Sequence, residues 1–281
     1  MSIGYFNGKF IALDERVIPI DERGHQFGDG VYEVIRFYNG KPFMLEEHLD
    51  RLINSSKAIK LPITDSIDDF TKLINEAVEK SQLKDCNVYL QITRGIATRQ
   101  HLFPNAPVSI AMTVRPAKPI SEEIREKGET AIFHEDERWA NCYIKSLNLL
   151  PNILAKQTAF EAGCFEAILV RDGFITEGTS SNVFIIKNGR IITTPLSKHI
   201  LPGITRIAVK NILEALKFDF VEKHFTQDEL LESDEVFITS TTSEVLPIVK
   251  VNDQPIGNGK PGEQTKQIYN ELTKLTASIN V

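Results

Sequence analysis

Cysteine is scarce. The 281 residues hold three, Cys86, Cys142 and Cys164. An odd number without metal-ligand spacing gives no disulfide framework and reads as reduced thiols in a cytoplasmic protein. An excess of positive charge is missing too: 32 Lys and Arg against 38 Asp and Glu leave a net charge of −6, which offers no basic face to a nucleic acid. No apolar run approaches the roughly 18 residues of a membrane span. The opening "MSIGYFNGKF" has no basic stretch followed by an apolar one, so neither a secretion signal nor a membrane partner is expected. Internal repeats and low-complexity segments are also lacking, which excludes a solenoid. The chain that remains has an ordinary globular composition and is long enough for two domains.

Its first part alternates between two periodicities. "IGYFNGKFIAL" and "VYEVIRFYNGKPFML" are apolar runs around Asn7-Gly8 and Asn39-Gly40, which predicts two hairpins. "EEHLDRLINSSKAIKL" changes to helical spacing, with Leu49, Leu52, Ile53 and Ile59 on one side, and "DDFTKLINEAVEKSQL" does the same through Phe70, Leu73, Ile74 and Ala77. "NVYLQITRG" and "VSIAMTVRP" read as strands. Hairpins, then helices, then strands predict an α+β unit with an antiparallel sheet. "RPAKPISEE" carries two prolines and little apolar content and reads as a linker. The expected partition is an N-terminal domain over 1–115, a linker over 116–122 and a C-terminal domain over 123–281.

In the second part, Asn148 is expected to cap a helix through "LLPNILAKQTAFEAG", with Pro151 in its first turn and Gly163 at its left-handed stop. Asp172-Gly173 and Asn188-Gly189 predict two more hairpins. "PGITRIAVKNILEALK" spaces Ile204, Ile207, Ala208 and Ile212 as a helix face, Thr226 and Glu229 form a capping-box pattern, and "EQTKQIYNELTKL" closes the chain as a helix.

One lysine is out of place in this scheme. In "CYIKSLNLL", Cys142, Tyr143, Ile144 and Leu147 surround Lys145 with apolar groups. Lone lysines are ordinarily surface charges. An amine that attacks a carbonyl must spend time neutral, and apolar surroundings disfavour its charged form. If the electrophile were pyridoxal phosphate, two further features would be needed: a carboxylate facing the pyridine nitrogen and a phosphate cradle. Glu177, in "FITEGTSSN" at a strand end, could supply the first. The helix start in "LPGITR" (Gly203, Ile204, Thr205) and the hydroxyls of "TSTTSE" at 239–244 could supply the second, with Arg51 as a compensating cation.

Taken together, "DERGHQFGDGVYEVIRFYNG", "HLDRL", "TRGIATRQHLFP", "IKSLNLLPNILAKQ", "TEGTSSNVF", "LPGITR" and "TSTTSE" resemble the fold-type IV pyridoxal-phosphate enzymes, in their order and along almost the whole chain. The Arg99-Gln100-His101 run is similar to that of the D-amino-acid aminotransferase branch. The resemblance implies a two-domain α+β fold with antiparallel and mixed sheets flanked by helices, and a C-terminal domain carrying the cofactor lysine. It implies pyridoxal 5'-phosphate on Lys145 as a Schiff base, Glu177 at the pyridine nitrogen, and the phosphate held by Arg51, the backbone of Ile204 and Thr205, Ser240 and Thr241. Tyr32, Arg99 and His101 would receive the substrate carboxylate. The implied reaction is ping-pong transamination between a D-amino acid and a 2-oxo acid, in a homodimer. Branched-chain L-amino-acid transamination, aminodeoxychorismate lyase chemistry and a non-catalytic cofactor carrier are the alternatives on the same scaffold. Thr179 stands where the family pattern has serine and Pro202 where lysine is common. From the residues themselves, Arg99 and His101 share a side if their segment is extended, since i and i+2 point alike in a strand.

Overall fold

The computed structural model describes residues 1–279. Its contacts divide into two units. The first takes in Met1–Lys118 together with Ile144–Asn148, the second Pro119–Tyr143 and Leu149–Ala277.

Among the described residues of the first unit, six strands form one antiparallel sheet. They are β1 (Ile3–Phe6), β2 (Lys9–Ile11), β3 (Gly30–Tyr38), β4 (Lys41–Pro42), β5 (Cys86–Thr93) and β6 (Ser109–Pro116), in the order β2-β1-β6-β5-β3-β4. Both expected hairpins are present. Asn7-Gly8 and Asn39-Gly40 place both central residues at positive φ (43 and 91°, 47 and 82°), the mirror-image turn that matches strand twist and that Asn-Gly adopts at little cost. Helices α2 (Leu45–Ala58) and α3 (Ile67–Ser81) lie against this sheet. Leu49, Leu52, Phe70, Ile74 and Ala77 are buried with Val31, Ile35, Phe37, Val88 and Leu90 in one apolar core. The short α1 (Arg23–Phe27), capped by the Glu22 carboxylate on the His25 N–H, has too few residues to show a stripe and is absent from the sequence reading.

The second unit holds a mixed sheet, nine-stranded among the described residues: β7 (Glu129–Glu135), β8 (Glu166–Arg171), β9 (Phe174–Gly178), β10 (Asn182–Lys187), β11 (Arg190–Thr193), β12 (Phe220–Glu222), β13 (Glu235–Ser240), β14 (Glu244–Val251) and β15 (Gln254–Pro255). The order is β12-β11-β10-β13-β14-β7-β8-β9, with β15 on β14. The pairs β11–β12, β14–β7 and β7–β8 are parallel. One sheet face packs Ile168, Val183, Ile185, Ile238, Leu246 and Ile248. On the other, Phe184 stacks on its cross-strand partner Phe237, ring centroids 4.8 Å apart. The remaining helices are α4 (Glu122–Lys127), α5 (Leu150–Glu161), α6 (Ile204–Ala215), α7 (Gln227–Leu231) and α8 (Glu263–Ser278). The expected capping box is formed at α7 by Thr226 and Glu229.

Three expectations are corrected. The N-cap of α5 is Leu149, without a side-chain cap; Asn148 instead turns its amide toward the Gly28 carbonyl and the Ser146 hydroxyl. The linker reading overlaps structure at its end, because Ser121 caps α4. The lysine segment, expected with the C-terminal domain, groups with the first unit because its backbone pairs with the start of β3. The Tyr32 N–H donates to the Lys145 carbonyl at 3.0 Å and the Leu147 N–H to the Gly30 carbonyl at 3.1 Å. Gly30 permits this approach: a Cβ there would lie 2.5 Å from the Ile92 carbonyl and 2.9 Å from Leu147.

Candidate active site

In the first unit the lysine is held by its backbone. Its N–H donates to the Ser55 hydroxyl at 3.1 Å, its carbonyl accepts from Tyr32, and its ammonium lies 4.2 Å from the centroid of the Tyr32 ring. Ile144 is buried in the core beside it. The side chain of Lys145 is therefore carried by a fixed strand-like segment, with an aromatic face beneath its charge.

Behind it lies a charged group within an apolar layer. Strand alternation puts Val31, Glu33, Ile35 and Phe37 on one face of β3, and all four are fully buried. Helical spacing brings His48, Arg51 and Ser55 to one side of α2. Arg51 grips Glu33 with two nitrogens, at 2.7 and 2.8 Å, and His48 Nδ1 meets the same carboxylate at 2.7 Å. Burial alone would raise the Glu33 pKa; the Arg51 charge and the hydrogen bonds of both partners outweigh it and hold the carboxyl down at about 2. Burial lowers the His48 pKa against the pull of Glu33, so the imidazole is neutral near neutral pH and donates from Nδ1. Sequence reading finds Arg51 but not Glu33 or His48, because the three meet only when α2 packs on β3.

The pH dependence follows in sign. A depressed histidine pKa withdraws stability as pH falls through the unfolded value near 6.5. A depressed carboxyl contributes fully above its ordinary value of 4.5 and loses that contribution as pH falls toward 2. The Glu33 share is on the order of 3 kcal/mol. Urea midpoints of wild type are expected to fall steeply between pH 5 and pH 3, and those of Glu33→Gln to start lower and slope less. Parallel curves for the two proteins would show that Glu33 is not the acid-sensitive group.

The Arg99–His101 segment departs from expectation. Residues 97–108 lie outside any strand and bend at 99 and 101, so the extended i, i+2 geometry does not apply. The two side chains converge nonetheless. The Arg99 guanidinium lies 4.7 Å from the Phe27 ring centroid, and the His101 ring 5.7 Å from it. Both are exposed in the single chain. Two buried arginines anchor this loop. Arg23 donates to the Gln100 carbonyl at 2.6 Å, and Arg94 lies 3.7 Å from the Phe103 ring centroid. Both also bind Asp29.

In the second unit Glu177 lies near the end of β9 and is buried. Arg138 donates to its Oε1 at 2.5 Å, the Asn182 amide to Oε2 at 3.0 Å, and the Leu201 N–H to both oxygens. Arg138 is itself held by Asp136 through two bonds of 2.8 Å, and Asp136 also accepts from Thr176 at 2.9 Å. Burial pushes the Glu177 carboxyl up to about 7 against the pull of Arg138. A further cation at Glu177 would restore its charge at neutral pH. Sequence reading misses Asp136 and Arg138, since the charges in "HEDERW" look like any solvated run. The hydroxyls of Thr179 and Ser181 both turn to the buried Glu166, so they shape the turn after Glu177.

The same unit contains donors suited to a phosphate. Helix α6 starts at Gly203 with no side-chain cap, leaving the first-turn N–H groups of Ile204 and Thr205 for a ligand. A Cβ on Gly203 would lie 2.1 Å from Asn182 Oδ1, so the close approach requires glycine. Ser240 ends β13 and Thr241 follows it in the β13–β14 turn. The Thr239 hydroxyl beside them is buried with no hydrogen-bond partner among the described residues, an unmet donor that the oxygen of an anionic ligand would satisfy. The residues present fit a phosphorylated cofactor.

Comparison with known proteins gives the family of the chain. The family described as amino-transferase class IV matches residues 30–251. A D-alanine aminotransferase of Bacillus licheniformis is 46% identical over 269 residues, 95% of this chain and 94% of its own. One of Staphylococcus aureus (strain N315) is 40% identical over 280 residues, 99% of each chain. Among solved structures, a T.th. branched-chain amino acid aminotransferase with pyridoxamine 5'-phosphate superposes with a TM-score of 0.91 at 27% identity, covering 98% of this chain and 93% of its own. The Escherichia coli branched-chain enzyme gives 0.90 at 26%, covering 98% and 94%. With the α+β architecture and the match over most of its length, this chain belongs to the class IV aminotransferase family.

Proposed function

We propose that the protein is a pyridoxal-phosphate-dependent D-amino-acid transaminase, moving an amino group from a D-amino acid such as D-alanine or D-glutamate to 2-oxoglutarate or pyruvate. The observation that carries this reading is the buried Glu177 carboxylate, aimed by Arg138 and Asn182, in a chain similar over nearly its whole length to D-alanine aminotransferases. When bound, the cofactor supplies an aldehyde to hold the amine and a protonated ring to accept electrons. Lys145 holds the cofactor through Nζ and moves the substrate α-proton, as its placement on a fixed segment allows. Glu177, oriented by Arg138 and Asn182, keeps the ring nitrogen protonated. The amides of Ile204 and Thr205, with Ser240, Thr241 and Arg51, hold the phosphate; Glu33 fixes the direction of the Arg51 guanidinium. Tyr32, Arg99 and His101 receive the carboxylate common to donor and acceptor.

A homodimer and a cytoplasmic location complete the proposal. Leu150, Ile153, Leu154 and Phe160 of α5 are 53 to 73% exposed, an apolar face suited to a second copy. The cysteines are all free, as in a reducing compartment.

Half-reactions of the holoenzyme, followed by the cofactor spectrum, test the assignment. D-alanine is expected to convert the cofactor and L-leucine to leave it unchanged; the opposite preference would favour the branched-chain reading. Arg99→Ala should lower kcat/KM for D-amino acids and 2-oxo acids alike. Because Arg99 is exposed in the single chain, water competes for the carboxylate and the loss is set at roughly 10- to 100-fold. His101→Ala should lose less, the arginine still supplying charge. An intact D-alanine half-reaction in Arg99→Ala would place the carboxylate elsewhere.

A further inference from the structure

We infer that Arg125 is a positioning residue that shapes the β13–β14 turn for the cofactor phosphate. The inference rests on the proposed role of Ser240 and Thr241 in holding that phosphate.

Arg125 lies on α4, far from the turn in sequence and buried. Its Nη1 donates to the carbonyls of Ser243 at 3.2 Å and Val245 at 2.7 Å, and its Nη2 to the Glu244 carboxylate at 2.6 Å. One guanidinium thus grips three consecutive residues. The middle one, Glu244, has φ of 58°, a left-handed conformation that a side chain with a Cβ disfavours. The grip falls on both sides of the residue that most needs holding.

The guanidinium is fixed in turn. The Tyr269 ring of α8 lies 4.1 Å from it, and the Tyr269 hydroxyl donates to Glu122 at 3.1 Å. Arg125 Nε is buried with no hydrogen-bond partner among the described residues. A side chain that leaves one donor unmet to keep two nitrogens on the turn is placed for the turn. From Ser243 the link continues to the ligand side, since the Ser243 N–H donates to the Ser240 hydroxyl oxygen at 3.0 Å. Where Ser243 sits decides where the Ser240 hydroxyl points. Lysine replaces this contact only in part, because an ammonium keeps the charge but has no planar fork to span three acceptors.

The test separates the phosphate from the rest of the cofactor. Apoenzyme prepared from wild type, Arg125→Gln, Arg125→Lys and Tyr269→Leu is titrated with pyridoxal 5'-phosphate and, separately, with pyridoxal, which has no phosphate. Wild type should prefer the phosphorylated form. Arg125→Gln is expected to weaken pyridoxal 5'-phosphate roughly 10- to 100-fold and to leave pyridoxal within about twofold. Arg125→Lys and Tyr269→Leu should move the same way by less, and Tyr269→Leu keeps the test alive where Arg125→Gln does not fold. Equal losses for both compounds, or no loss for either, would overturn the inference while the phosphate site stands. A wild type that does not distinguish the two compounds would instead overturn the phosphate site itself, and the inference with it.

Discussion

Lys145→Ala is expected to abolish turnover, by roughly 10⁴-fold or more, in a protein that remains folded and still binds its cofactor. The fold survives because the segment is held by main-chain bonds that do not involve the side chain: N–H to Ser55, carbonyl from Tyr32, and Leu147 to Gly30. Truncation removes the amine with its contact to the Tyr32 ring and its charge near His48, and leaves those main-chain bonds in place. Cofactor should remain through the second unit's donors, now without a covalent link, so its absorbance should shift and its dissociation quicken. Single-turnover mixing with D-alanine, followed at the cofactor band, measures the loss. A variant that still converts the cofactor within tenfold of the wild-type rate would show that another base moves the proton.

Glu177→Gln carries the second large effect. The amide keeps the shape of the carboxylate and an oxygen to accept from Asn182 or the Leu201 N–H, so the site should stay formed. What it loses is charge. Arg138 then has only Asp136 opposite it, and the ring nitrogen has no anion to keep it protonated. The expected loss is roughly 10²- to 10³-fold in kcat without a matching rise in KM, because the electron sink is needed in the transition state and not for binding substrate. An unchanged kcat, with a substrate isotope effect showing that proton transfer limits the rate, would remove Glu177 from the chemistry.

The legibility of this chain in its sequence follows the range of the interactions. The hairpins at Asn7-Gly8, Asn39-Gly40, Asp172-Gly173 and Asn188-Gly189 are readable because two adjacent residues carry the whole signal. The turn at Asn252-Asp253 has the same positive φ values, 47 and 64°, without glycine, and escapes that signature. Helices α2, α3 and α6 show their stripes, whereas α1 and α4 are shorter than two turns and have none. Lys145 and Glu177 can be singled out by local setting and by resemblance. Their supports cannot. Glu33 meets His48 and Arg51 across two elements, Arg138 meets Glu177 across 39 positions, and Arg125 meets Val245 across 120. For Arg99 and His101, alternation is usable only on the condition that their segment is extended, which the 97–108 loop does not meet. Its true course is set by Arg23 and Arg94, which no local pattern connects to it.

The central claim is that one lysine carries the cofactor. Purified protein loaded with pyridoxal 5'-phosphate is reduced with borohydride, digested, and the phosphopyridoxyl peptide sequenced by mass spectrometry. The expected result is a single modified lysine, Lys145, within the segment "CYIKSLNLLPNILAK", with the colour of the protein lost on reduction. Stoichiometric label on any other lysine, or reduction that leaves the peptides unmodified, would contradict it.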